Sequence, residues 1–151
     1  VERIFTANGI RIVAKNDQES ADQSSGLKAA DTALKQHPNL SIVIGLNDES
    51  ALGALPAVER AGIAPNKIFV AGQDGLQEGL AAVNQGGAYK ASAAILINEL
   101  NANIIDQALN AIEGTGPTVV ETPTVLASKR DQTMLDKHTT HSWTANPRRP
   151  P

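Results

Sequence analysis

The stretch GLNDESALGALPAVERAG, residues 45–62, sets an Asn-Asp pair between an apolar run and a helix pattern built on small residues. The run before it, LSIVI from Leu40 to Ile44, is too short for a helix and rich in β-branched side chains, so it predicts a buried strand. After the pair, Ala51, Leu52, Leu55 and Val58 recur at helical spacing, and Asp48 is placed to act as N-cap. The pair therefore falls at the carboxyl end of a strand where a helix begins. In open α/β sheets that edge is where ligands bind.

Working outward, the same alternation continues. IRIVA (Ile10 to Ala14) predicts a first strand, and a helix from about Gly26 to Gln36 carries Leu27, Ala30 and Leu34 on one face. KIFVAG (Lys67 to Gly72) predicts a third strand, with a helix from about Leu76 to Asn84 after it. AYKASAAI follows as a strand, and INELNANIIDQALNAIEG gives the longest helical pattern, stopped at Gly114. TVVETPTVLAS supplies a last extended piece broken by Pro123. Such alternation predicts an α/β fold, a doubly wound and mostly parallel sheet whose central strands include Leu40 to Ile44 and Lys67 to Gly72. Pro56 removes a hydrogen bond inside the second helix, at a cost of roughly 3 kcal/mol relative to Ala, and predicts a kink near Leu52.

Composition narrows the function classes. A chain of 151 residues suffices for one domain, and 41% hydrophobic with 19% charged residues is ordinary for a globular one. A net charge of -3 gives no electrostatic case for nucleic-acid contact. The absence of cysteine excludes disulfides, zinc thiolate sites and thiol catalysis. The start VERIFTANGI reads as residues 1–8 closing an amphipathic helix from an upstream segment, so the chain is expected to be a piece of something longer. From Lys129 the periodicity is lost, and residues 129–151 read as a polar tail that Met134, Leu135 and Trp143 could dock.

The order of motifs resembles a known family. HPNLSIVIGLNDESALGALPAVERAGI, then IFVAGQDGLQEGLAAVNQGG, then a strand and a long helix, is similar to the carboxyl-terminal lobe of type I periplasmic sugar-binding proteins, the ribose and galactose receptors of ABC transporters. The same lobe recurs in the effector domains of lac-repressor-type regulators. The resemblance covers residues 9–128 and rests on a strand ending in Asn-Asp before ALGAL, then a strand ending in Gly-x-Asp-Gly.

A sugar hydroxyl both donates and accepts, so its site needs amides and carboxylates that reciprocate. The resemblance implies Asn47 and Asp74 as ligand contacts; taken without it, the pair is a helix cap and Asp74-Gly75 a turn. Asp48 stays a cap in either reading. The ring that stacks on sugar in the ribose receptor falls at Ala21, and the amide of the fourth strand falls at Ile95. Gln73, where a ring is common in the family, restores an amide nearby. A sugar bound differently, a less hydroxylated molecule and no ligand at all stay open.

No enzyme signature competes. No phosphate-binding glycine fingerprint follows the first strand, no Ser elbow is present, and Asp74 has no titratable partner of the kind catalysis needs. His138 and His141, with Asp136, are too few for a metal site, and no cofactor or metal is expected. The resemblance implies a periplasmic or extracytoplasmic solute-binding lobe, a ligand held against a missing N-terminal lobe, and a membrane permease as partner. The alternative is the effector and dimerisation domain of a regulator. The surface exposed without the other lobe suggests a homodimer.

Overall fold

The computed structural model describes residues 2–16, 20–131 and 133. Helix α1 (Glu2–Ala7) is followed by α2 (Gln23–Gln36), β1 (Ile42–Ile44), α3 (Asp48–Arg60), β2 (Phe69–Asp74), α4 (Gln77–Gln85), β3 (Tyr89–Ile95), α5 (Ile97–Glu113) and β4 (Thr124–Ser128). The strands form one sheet in the order β1-β2-β3-β4. The first three are parallel and β4 runs antiparallel to β3. This is the mostly parallel α/β sheet that the alternation of strand and helix predicts.

Small residues set how the layers meet. Ala51, Ala54 and Ala57 bury the inner face of α3, and Val58, Val70, Leu80, Val83, Tyr89 and Ala94 complete the core around it. Two glycines let α2 and α3 touch backbone to backbone. A Cβ on Gly26 would overlap the Ser50 carbonyl, and one on Gly53 would overlap the Gln23 carbonyl. Each helix thus accepts the other at a glycine, which draws their amino-terminal ends together. Further along, Arg60 of α3 pairs across to Asp31 of α2 at 2.9 Å, and Lys35 pairs with the same Asp31 within α2 at 2.7 Å.

Three expectations are corrected. Ile10–Ala14 is not a strand of this sheet. Residues 10–16 run beside β1 across a cavity of about 630 Å³, lined by Phe5, Ile12, Ala30, Leu40 and Val43 among others. The branched side chains of Ile10–Ala14 face an apolar space, as their pattern requires, but strand pairing also needs backbone registry that a local pattern does not encode. In consequence the Leu40 to Ile44 strand shrinks to Ile42–Ile44 and lies at an edge, with β2 and β3 central. Finally, Asn47, not Asp48, caps α3. The helix also carries through Pro56 to Arg60, because its packing on α2 and β2 outweighs one missing hydrogen bond.

α5 stands apart. It buries no residue, and Ile104, Ile105, Leu109 and Ile112 are all more than half exposed. Its left-handed cap at Gly114 (φ 67°) is the stop that the sequence predicts. Met134, Leu135, Asp136, His138, His141 and Trp143, named above for docking or metal binding, lie outside the described residues.

Candidate site at the carboxyl edge of the sheet

Parallel registry decides where the polar residues gather. Ile44 pairs with Ala71, so Asn47 and Asp74 each lie three residues beyond a matched pair of strand residues. Asp74 in turn pairs with Ala94, which puts Ile95 one step further along the same edge. Asn47, Gln73, Asp74 and Ile95 therefore share the carboxyl edge. Ala21 joins them, because the Asn47 amide Nδ2 donates to the Ala21 carbonyl at 2.9 Å.

Asn47 is already employed in the fold. Its Oδ1 accepts from the Ser50 amide at 2.9 Å, and the Ser50 hydroxyl accepts from the Asn47 amide at 3.3 Å, a reciprocal capping box. One side chain thus starts α3 and tethers the loop before α2. The loop is held from its other side by Asp22, whose Oδ1 accepts from the Ser25 amide at 2.7 Å; that bond keeps the carboxyl below its ordinary range. Each oxygen of an amide has two lone pairs and each NH2 two hydrogens, so Asn47 keeps capacity for a ligand after both bonds are made.

Asp48, the first residue of α3, is fully buried. No lysine or arginine pairs with it among the described residues. Its carboxylate is satisfied by donors instead: the Leu76 amide at 2.8 Å, the Tyr89 hydroxyl at 2.6 Å and the Ser92 hydroxyl at 2.7 Å. A buried carboxylate without such donors would be prohibitively costly. The amino-terminal end of α3 adds a favourable dipole. Two glycines clear the space it occupies, since a Cβ on Gly72 would come within 2.6 Å of Asp48 Oδ1 and one on Gly79 within 2.6 Å of Oδ2. Burial, then the bond to Asp48 and the negative charges of Asp48 and Asp74, push the Tyr89 phenol far above its ordinary value.

Asp74 ends β2 with φ 103°, the one described residue other than glycine in the left-handed region. The Gly75 amide after it donates to Ser92 Oγ at 3.1 Å. Asp74 itself is part-exposed, and no hydrogen bond or ion pair engages its carboxylate among the described residues. The edge thus combines a partly used amide, an exposed amide at Gln73, and an unused carboxylate, beside apolar Ala21 and Ile95. Such a set can exchange hydrogen bonds with a neutral hydroxylated molecule. Among the described residues no cluster of His, Asp and Glu could hold a metal ion. Sequence reading missed the group formed by Asp48, Tyr89 and Ser92; the polar Ser92 inside an apolar strand was the signal available.

Comparison with known proteins agrees with this fold. The ribose import binding protein RbsB of Escherichia coli is 36% identical over 93 residues, which are 62% of this chain and 30% of that protein. A periplasmic ribose ABC transporter structure from Conexibacter woesei superposes with a TM-score of 0.79 at 26% identity, covering 95% of this chain and 47% of that one. A solute-binding protein from Actinobacillus succinogenes, solved with bound D-allose, gives 0.72 at 29% identity over 83% of this chain and 44% of the other. The chain therefore spans under half the length of these relatives. The model of the periplasmic binding protein domain matches residues 1–116, and the chain belongs to that family.

Proposed function

We propose that this chain forms one side of a sugar-binding cleft in an ABC-transporter substrate-binding protein, with Asn47, Gln73 and Asp74 as ligand contacts. The observation that carries the reading is the registry that sets Asn47 and Asp74 side by side at the carboxyl edge, the latter with an unused carboxylate. The relatives named for ribose and D-allose support a monosaccharide as the ligand class. Ala21 and Ile95 add apolar contact to that site, favouring the less polar face of a sugar ring. Binding proteins, not enzymes, are what the chain resembles, and by that likeness we assign it a periplasmic setting with a membrane permease as downstream partner.

The other lobe belongs in this proposal because of α5. A helix that leaves Ile104, Ile105, Leu109 and Ile112 exposed lacks the partner its amphipathic pattern requires. The remainder of a relative-length protein is the partner we assign to that face. In the isolated chain a second copy takes its place, so the homodimer forms through α5.

Affinity tests the reading. A two-lobed clamp of about 1 μM affinity corresponds to about -8 kcal/mol; one lobe supplying half of that binds at about 1 mM. Titration of the chain with D-ribose and D-allose to tens of millimolar, followed by amide chemical shifts, is expected to perturb residues 47, 73 and 74 first. Shifts confined to other residues, or none, overturn the proposal.

A further inference from the structure

We propose that Asp48 is a positioning residue which, through Ser92, holds the Asp74–Gly75 turn in its left-handed conformation and so presents Asp74 at the carboxyl edge. The ligand role of Asp74 rests on the function proposed above; the holding of the turn does not.

The strain is the starting point. An Asp at φ 103° is costly, and such residues persist only when their surroundings over-determine them. Here the residue after it, Gly75, is also left-handed (φ 76°), so two consecutive residues reverse the path of the chain as it leaves β2. Both amides that follow Asp74 are pinned to one buried group. The Gly75 amide donates to Ser92 Oγ, and the Leu76 amide donates to Asp48 Oδ2. Ser92 Oγ, which accepts from the Gly75 amide, donates its own hydrogen bond to the Asp48 carboxylate at 2.7 Å. The chain of bonds therefore runs from the turn to a carboxylate that cannot move, because it is fully buried and a third donor, Tyr89, fixes its Oδ1.

Contact with the same strand completes the restraint. A Cβ at position 75 would come within 2.5 Å of the Ala94 Cβ, so the turn is pressed onto β3 as well as tied to it. A bland alternative is that the buried group merely joins α3, β3 and α4. It does join them, but a structural tie needs no bond to Gly75 and no left-handed Asp. The direction of the bonds, from the two amides after Asp74 inward, is what assigns the group to the turn.

Nuclear magnetic resonance on the full chain tests this without ligand. In the parent, the Gly75 and Leu76 amides are expected to exchange slowly despite lying in a turn at the sheet edge. Ser92→Ala is expected to accelerate Gly75 exchange about tenfold while amides of β2 such as Val70 keep their rates. The scalar coupling that reports φ at Asp74 is expected to leave its left-handed value in the same variant. Asp74→Gly is expected to raise the folding equilibrium constant by roughly fivefold or more in the parent, and by less in the Ser92→Ala background. Unchanged Gly75 exchange and unchanged coupling at residue 74 in Ser92→Ala overturn the inference. Should that variant fail to fold, an unprotected Gly75 amide in the parent, or no gain from Asp74→Gly, overturns it equally. The sugar titration described above, run on the parent, separates the two claims: no response at residue 74 removes the ligand reading and leaves the holding of the turn intact.

Discussion

Tyr89→Phe removes a single oxygen from the centre of the buried group. The side chain is 1% exposed, and its hydroxyl donates to Asp48 Oδ1 at 2.6 Å. Without it, Asp48 keeps Leu76 and Ser92 as donors, and the carboxylate loses one of its charge-assisted bonds. Such bonds contribute about 1.5–3 kcal/mol. A phenyl ring fills nearly the same volume, so little cavity cost is added, and the expected loss is about 2 kcal/mol. For a domain of this size that is a fall in Tm of about 4–8 °C. The pH dependence carries a second, independent signature. The folded phenol titrates above its unfolded value of about 10, so the native state holds the proton more tightly. The stability this contributes is present in full below pH 10 and is lost as pH rises from there toward the folded pKa, at a rate approaching about 1.4 kcal/mol per pH unit. The chain contains one tyrosine, so phenolate absorbance reads this group alone. Urea unfolding followed by far-ultraviolet circular dichroism at pH 7 to 11, with absorbance recorded in parallel, is the assay. A Phe variant within about 0.5 kcal/mol of the parent, or phenolate forming near pH 10 while the chain is still folded, refutes the reasoning.

Asn47→Ala removes the α3 cap and the tether to Ala21, and is expected to cost about 1 kcal/mol, read by the same urea titration. The same variant is expected to weaken the sugar response, whereas Asp74→Gly weakens it without loss of stability, because glycine adopts the left-handed conformation freely. Gly53→Ala raises helix propensity by about 0.5–1 kcal/mol, but its Cβ overlaps the Gln23 carbonyl, and a backbone cannot step aside as a side chain can. Overpacking of about 1–3 kcal/mol wins, so calorimetry is expected to record a lower Tm. Asp31→Asn lowers stability slightly at neutral pH; its carboxyl is held below the ordinary value by the bonds to Lys35 and Arg60, so the deficit is present above that value and disappears as pH falls through the folded pKa. Light scattering of Ile105→Glu is expected to show a monomer where the parent associates, because the charge interrupts the exposed apolar face of α5.

Periodicity and end signals in the sequence determined the order and type of the elements from α2 onward, the glycine stop of α5, and the placing of Asn47 and Asp74 at the carboxyl ends of two parallel strands. These are legible because helix and strand patterns, caps and glycine stops act over a few residues. They even place the carboxyl ends of β1, β2 and β3 on one edge, since the helical crossovers between these strands bring them back parallel, whereas β4 after α5 returns antiparallel. What the Asn-Asp pair does was decided only in three dimensions. A local rule allows either residue to cap α3. The choice fell to Asn47 because Asp48 is drawn inward by Tyr89 and Ser92, which lie 41 and 44 residues away in sequence. The left-handed Asp74 has the same origin, in a hydroxyl 17 residues downstream of Gly75. The absence of Ile10–Ala14 from the sheet is likewise a matter of long-range registry, because an alternating pattern states which side chains seek burial but not which backbone will pair with theirs.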